Sequence, residues 1–506
     1  MRSLLALAAC SVLVIAPGCT ERRVIVPAPG TAQAPSENEA EEGEEEETPD
    51  PSASDALVID LGEVQAGTDA TFEIPEGALG FNIIAEGKVA DFEPERPFGI
   101  QRITAPDGTV VHDNFTPKGG SNPTSFASFD VIAAASVPQG EDVPKDLAGK
   151  WKVRFGVYGS SSTSSKRPKL HGRVRVQSSG DGAFHGGQLD LHVHVPDGLR
   201  VGRHTVDTSD AANDPEIAER VDTFFALTAQ LLGFERGKVT ITDEPSRFQE
   251  LDGIAELIDG FAVSSGQKDG TQALHVLMTN FIGQDGEPFA AGISPGIPGA
   301  ATVFGRGVSG IIVTTSESVD QDVLTMLHEA GHFFGLNHTT EFDGQSSDPF
   351  DDTPACATIA SRDPNSWFDC PDRSNIMFAA GAIDGPVTLS PSQKRVYRGS
   401  PIYRAFTAGG GKTMSSEAPS SRRPAFAAPR VLARAFRISG SSVLSPVERE
   451  LSFGFCGLNE LNAEGLVDRH GREAAMTQLR AAAVDQDLAP YIRGRANLAL
   501  KKLGAK

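Results

Sequence analysis

Cysteine is scarce, with five in 506 residues and none between residues 20 and 355. No framework of bridges spans the first two thirds of the chain, so its domains rest on hydrophobic cores, and this length allows roughly two to four of them. Basic residues are also short: 45 Lys and Arg stand against 67 Asp and Glu, a net charge of −22, which argues against a nucleic-acid partner. Part of that imbalance is local. Residues 37–50 are a nearly unbroken acidic run with little to bury, and such a run reads as a solvated spacer. Long apolar stretches are missing as well. The apolar run at residues 4–15 is too short to span a bilayer comfortably, and no other stretch approaches that length.

That one run follows Met1-Arg2 and ends at Ala16-Pro17-Gly18-Cys19, the layout of a targeting segment. A small residue before cysteine resembles the lipobox of bacterial lipoproteins. The resemblance implies a signal peptide over residues 1–19, lipid on Cys19, and a membrane anchor for an otherwise soluble chain. Thr20 stands where Asp is associated with inner-membrane retention, so the implied address is the cell envelope, as an outer-membrane lipoprotein. Plain secretion is the alternative. Residues 20–55, rich in Pro, Ala, Ser and Glu, then read as a disordered tether.

From residue 56 to about 180 the pattern changes to short alternating runs broken by Gly, Pro and Asp. Strands are predicted at 57–59, 71–74, 81–84, 151–157 and 173–176, with a turn at Pro106-Asp107-Gly108, which together suggest a β-sandwich accessory domain of jelly-roll type. Residues 186–406 alternate strand and helix, an α/β (α+β) pattern. Its first strand, 189–195, carries His192 and His194 on one face, as zinc ligands could stand, but period-2 placement predicts a half-exposed strand. Asp214-Pro215 opens a helix that Gly233 closes, with Ile217, Val221, Phe224, Phe225, Leu227, Leu231 and Leu232 as its buried stripe. Further elements are predicted as a strand around Val239 and Ile241, a helix over 248–258, a strand over 274–281, Gly- and Pro-rich loops over 283–306 and a buried strand over 310–315. Residues 407–430 read as a linker, and 431–506 as a helical segment containing one HEAT-like unit, too few for a solenoid.

The most informative stretch is residues 328–338, H-E-x-x-H-x-x-G-x-x-H. His328 and His332 are four apart and share one face of a helix that Ser318-Val319-Asp320-Gln321, an S-x-x-Q capping signal, opens. Gly335 can take a positive φ, end the helix and bring His338 back as a third nitrogen ligand. Glu329 is placed to take a proton from water. Three neutral imidazoles leave one position of a tetrahedral zinc open, which is the catalytic pattern rather than the structural one. By chance, roughly one unrelated chain of this length in ten thousand or more would carry the full string.

The string resembles the extended zinc signature of the metzincin metalloproteases. The resemblance implies a methionine turn beneath the metal, for which Met377 in Ser374-Asn375-Ile376-Met377-Phe378 is the candidate. Asp348-Pro349-Phe350-Asp351-Asp352-Thr353-Pro354 and the following Cys356 and Cys370 are similar to the D-x-x-D-T-P and paired-cysteine segment of the pappalysin-like group. Leu389-Ser390-Pro391-Ser392-Gln393 resembles the start of that group's final helix. The resemblance allows Ca²⁺ at Asp348, Asp351 and Asp352, with ordinary loop caps as the alternative. It departs at Ala379, where the group often has tyrosine, so no phenol is expected there. A cysteine-switch form of latency is excluded, because no cysteine precedes the catalytic segment after residue 19. Cys10 leaves with the signal, Cys19 takes lipid, Cys356 and Cys370 are expected to pair, and Cys456 is left over.

These expectations converge on an exported zinc endopeptidase acting on protein or peptide substrates, with His328, His332 and His338 as ligands and Glu329 as base. The alternative is a surface-anchored binding or scaffold lipoprotein whose protease fold is vestigial. Substrate preference and oligomeric state are not legible.

Overall fold

Alternation of apolar and polar residues shapes the N-terminal third of the chain. The computed structural model describes residues 53–87, 98–113, 132–157, 169–263, 272–300, 310–357, 367–381 and 386–408, apart from scattered single positions, together with a helix near the C-terminus. The targeting segment with Cys19, nearly all of the 20–55 and 407–430 segments, Cys456 and the HEAT-like stretch lie outside the described residues.

After the short β1 (Ala53–Ser54) come β2 (Leu57–Gln65), β3 (Asp69–Ile74), β4 (Ala78–Gly87), β5 (Phe98–Thr104), β6 (Val110–Asp113), β7 (Ile132–Val137), β8 (Gly149–Val157) and β9 (Lys169–Ser178). They form two antiparallel four-stranded sheets, β2-β9-β4-β7 and β3-β8-β5-β6. Every second residue points inward, and Phe72, Phe81, Ile83, Trp151, Val153, Phe155, Val174 and Val176 share one core. All five predicted strands fall within these elements, and Gly108 (φ 92°) makes the predicted turn.

The second part runs β10 (Gly187–Pro196), the hairpin β11 (Arg200–Val201) and β12 (His204–Thr205), α1 (Pro215–Leu232), β13 (Phe234–Glu244), β14 (Glu250–Asp252), α2 (Ile254–Phe261), β15 (Ala273–Thr279), β16 (Phe281–Gln284), β17 (Glu287–Pro288), β18 (Gly292–Ile293), β19 (Gly310–Thr314), α3 (Val319–Phe334), α4 (Pro391–Gly399) and β20 (Arg404–Phe406). The order β13-β10-β15-β19 is parallel throughout, and β18 closes one edge antiparallel to β19. β20 pairs with the start of β10, and β1 pairs with β20, so the tether read over 20–55 is structured at its last residues. Far along the chain, α5 (Arg472–Val484) is helical as predicted.

Parallel strands joined by long crossovers are covered on both faces. Leu189, Leu191, Val193 and Val195 of β10 join Val276 and Met278 of β15, Ile311 and Val313 of β19, and the apolar sides of α1 and α3 in the main core. The other face carries Leu277 and Ile312, packed with Leu257 and Phe261 of α2. α1 forms as its signals predict. Asp214 accepts the backbone N–H groups of Glu216 and Ile217, Pro215 occupies the first turn, and Gly233 (φ 81°) ends it. The helix predicted over 248–258 is displaced. Ser246–Phe248 form a single tight turn, residues 250–252 are drawn into pairing with β16, and the helix covers only 254–261.

The sandwich sits against α4 and the end of α3. The Ser136 hydroxyl donates to the Phe334 carbonyl at 3.2 Å, and the Gln177 amide donates to that of Tyr403 at 2.7 Å. Gly80 meets Gly399 so closely that a Cβ on Gly80 would lie 2.4 Å from the Gly399 Cα.

Candidate metal centre

Helix α3 begins where Ser318 accepts the Gln321 N–H at 3.2 Å, and Asp320 and Asp322 in its first turn suit the positive end of the helix dipole. It ends at Gly335, whose φ of 121° is open to glycine and whose N–H returns to the carbonyls of Gly331 and His332. The reversal brings His338 beside the two helix histidines. All three rings and Glu329 are buried.

Each ring is fixed through Nδ1. His328 Nδ1 lies 2.6 Å from the Ile376 carbonyl, and His332 Nδ1 lies 2.7 Å from that of Leu336. A carbonyl only accepts, so both rings carry their proton on Nδ1 and present a lone pair at Nε2. His338 Nδ1 is 2.9 Å from the Glu341 carboxylate, which orients the third ring in the same sense. The His332 Nε2 atom is then 3.2 Å from that of His328 and 3.1 Å from that of His338. Lone pairs facing one another at this spacing repel unless a cation lies among them. Tetrahedral zinc with Zn–N bonds of about 2.0–2.1 Å sets its ligand nitrogens roughly 3.3 Å apart, so the donor set fits the ion. Burial, and next the neighbouring His338, hold His328 down at about 3, and the same causes hold His332 well below the usual histidine value. Both rings are therefore neutral and able to ligate at pH 7.

Met377 lies under this cluster, fully buried. Its turn is tied in three places. Asn375 accepts the Met377 N–H at 2.8 Å, the Met377 carbonyl accepts the Thr339 N–H at 3.0 Å, and the Ile376 carbonyl holds His328. A Cβ on Gly331 would lie 2.3 Å from the Met377 sulfur and 2.8 Å from the Tyr397 hydroxyl, so glycine inside the motif is what lets the turn approach. Gly292 plays a parallel part. Its Cβ would lie 2.5 Å from Glu329 Cγ and 2.9 Å from Glu329 Oε1, so edge strand β18 sits directly on the glutamate.

The Cys356–Cys370 disulfide is formed, with Cα atoms 5.3 Å apart. Asp348, Asp351 and Asp352 do not gather around one point among the described residues. Asp348 instead accepts from the Thr353 hydroxyl and the Phe350 N–H, and at 3.4 Å from the Gln393 amide, while Asp352 accepts the Ser392 N–H at 2.9 Å. These hydrogen bonds brace the segment as a loop. Gln393 also accepts from Asn375 and completes the Ser390 capping box of α4, which links the methionine turn to that helix. Phe378 and Ala379 are buried, and no phenol occupies that place.

Sequence reasoning missed Glu341, Gly292 and Tyr397, whose hydroxyl donates to the Leu327 carbonyl at 3.0 Å. Only Glu341, a carboxylate three residues past the last histidine, left a readable signal. His192 and His194 correct their expectation. They are buried at 4 % and 1 % exposure, because the second face of the sheet is covered too, and His275 of β15 joins them.

No family model matches the chain, and no curated protein matches its sequence. Among solved structures, archaemetzincin from Methanopyrus kandleri is 19 % identical over 43 % of this chain and 89 % of its own, with a TM-score of 0.22. Metalloproteinase-II from Bacteroides fragilis is 17 % identical over 33 % of this chain, with a TM-score of 0.23, and the chain spans 47 % of its length. These overlaps are small, so the functional reading rests on the site: a mixed α/β protein whose sheet and helix α3 bring three histidines and a glutamate together.

Proposed function

We propose that the chain is a zinc endopeptidase of the metzincin type, with pappalysin-like loops, carried to the bacterial envelope and anchored through Cys19. The observation that carries this reading is the convergence of three Nε2 atoms, that of His332 lying 3.2 Å and 3.1 Å from the other two, each ring locked through Nδ1, with Glu329 adjacent in sequence and buried beside them. His328, His332 and His338 would hold Zn²⁺. When bound, the ion lowers the pKa of water towards about 7 and polarises a peptide carbonyl. Glu329 takes the proton as water attacks and passes it to the leaving amine. Met377 and Gly331 set the floor beneath the ligands without touching the reacting atoms. β18, as an edge strand lying on Glu329, offers main-chain groups against which an extended peptide can pair, which favours a polypeptide over other hydrolysable substrates.

The test is a metal and cleavage assay on the purified protein. Bound zinc, cutting of unfolded casein, loss of cutting with a chelator and its return with zinc are the expected results. A folded protein that carries zinc in this cluster and cuts no polypeptide over a broad peptide library would overturn the endopeptidase reading.

Gly292→Ala probes the same geometry. The new methyl group must push the Glu329 side chain, so kcat/KM is expected to fall roughly 10- to 100-fold while zinc content holds, since displacing a catalytic group by about 1 Å is worth that much. Peptide cleavage rates beside zinc stoichiometry check it.

A further inference from the structure

We infer that His192, His194 and His275 form a second metal site, for a divalent transition ion of the zinc class. Within the parallel pair β10 and β15, His192 stands level with His275, and His194 follows on the same face. The His192 and His194 rings stack with centroids 4.3 Å apart, and His275 lies 4.8 Å and 5.3 Å from them. One ligand nitrogen from each of the three falls within 4.8 Å of the others.

The way the central ring is held points to a ligand. His194 Nδ1 lies 2.8 Å from the Glu244 carboxylate on β13, and a carboxylate oxygen accepts, so the proton sits on Nδ1. The Nε2 lone pair then faces His275 Nδ1 at 3.0 Å. This is the device that Glu341 supplies to His338 in the α3 cluster, a carboxylate orienting a histidine from behind. His192 Nε2 meets the Thr242 hydroxyl at 2.5 Å, which places that ring as well. Gly310 of β19 leaves room for His275, since a Cβ there would lie 2.8 Å from the His275 Cβ.

A purely packed face would be cheaper. Leu277 and Ile312 fill the neighbouring positions of the same face with apolar side chains, whereas three buried imidazoles must be partnered to offset their desolvation. Three imidazoles, with no thiolate and no direct carboxylate ligand, suit Zn²⁺, Cu²⁺ or Ni²⁺ rather than Ca²⁺ or Mg²⁺. The site is separate from the α3 centre. His192 and His194 alternate with Leu191, Val193 and Val195, which face the core containing α3, so the two clusters lie on opposite faces of the sheet. An ion here would pin β10 to β15, and through Glu244 to β13.

The test is metal counting on the full-length protein loaded with zinc. Two ions per chain are expected in the wild type, one in a His328→Ala/His332→Ala/His338→Ala variant, and none when His194→Gln and His275→Gln are added to it. Cobalt titration of the triple variant should give tetrahedral absorption bands that saturate at one equivalent. A folded triple variant, checked by circular dichroism, that binds no zinc or cobalt overturns the inference. So does one whose remaining ion survives the added glutamines. Should the variants not fold, the wild-type count decides: two ions support the site and one overturns it.

Discussion

Glu329→Ala is expected to keep its zinc and lose peptide cleavage by about 10²- to 10⁴-fold, the range that a positioned general base supplies. Glu329 is not among the converging ligand atoms, which are His328, His332 and His338, so its removal leaves the donor set intact. Its side chain is buried and packed against the space that Gly292 leaves open. Truncation therefore also removes a buried acidic group, and stability should hold or rise while rate falls, as happens when a site is strained for function. Glu329→Gln separates the two effects. Glutamine keeps the shape and the packing but has no basic carboxylate, so it should match the wild type in melting temperature and match alanine in rate. Retention of wild-type kcat by the glutamine variant would mean that Glu329 is a spacer and that another group moves the proton.

How much of this was legible in the sequence varied with the range of the interaction. Local signals read well. Asp214-Pro215 and Gly233 bounded α1, and its apolar stripe is buried residue for residue. The ligand string and the cysteine pair are likewise short-range patterns: the three histidine nitrogens converge and the disulfide is closed. What failed needed two faces of one sheet. Period-2 alternation at His192 and His194 signals two different faces, but it does not say whether the polar face meets water or a second layer. Here α2 and its neighbours cover that side of the sheet, and His275, some eighty residues on, completes the cluster. Gly292 was hidden for a similar reason. It sits in a Gly- and Pro-rich stretch that reads as loop, and only pairing with β19 turns two of its residues into the edge strand beside Glu329. The helix predicted over 248–258 was cut short by the same kind of event, the capture of residues 250–252 by β16.

Arg220→Ala is expected to lower unfolding free energy by about 3–5 kcal/mol, the cost of breaking a buried ion pair from one side. Arg220 on α1 is fully buried. Its Nε donates to Asp322 at 2.8 Å, and its terminal nitrogens donate to Glu216 at 3.0 Å and to the Ser316 carbonyl at 2.8 Å. Asp322 lies in the first turn of α3, where it also accepts the Ser316 hydroxyl and N–H. The pair thus fastens α1 to the start of the helix that carries His328 and His332, and nothing in the spacing of the sequence links positions 220 and 322. Burial pushes the Asp322 carboxyl above the usual carboxylate range, and Arg220 works against that push. Without the guanidinium the folded state favours the protonated carboxyl more strongly. A folded pKa raised above the unfolded one gives stability that is present at low pH and lost as pH rises through the folded value. The deficit of Arg220→Ala should accordingly be smaller at pH 5 than at pH 8, whereas a deficit from lost packing alone would not change. Urea unfolding of both proteins at the two pH values reads this directly. Adding Asp322→Leu to an Arg220→Met chain should recover most of the loss, because two apolar side chains leave no charge stranded. If the double variant is as unstable as the single one, the pair matters for its shape and not for its charge.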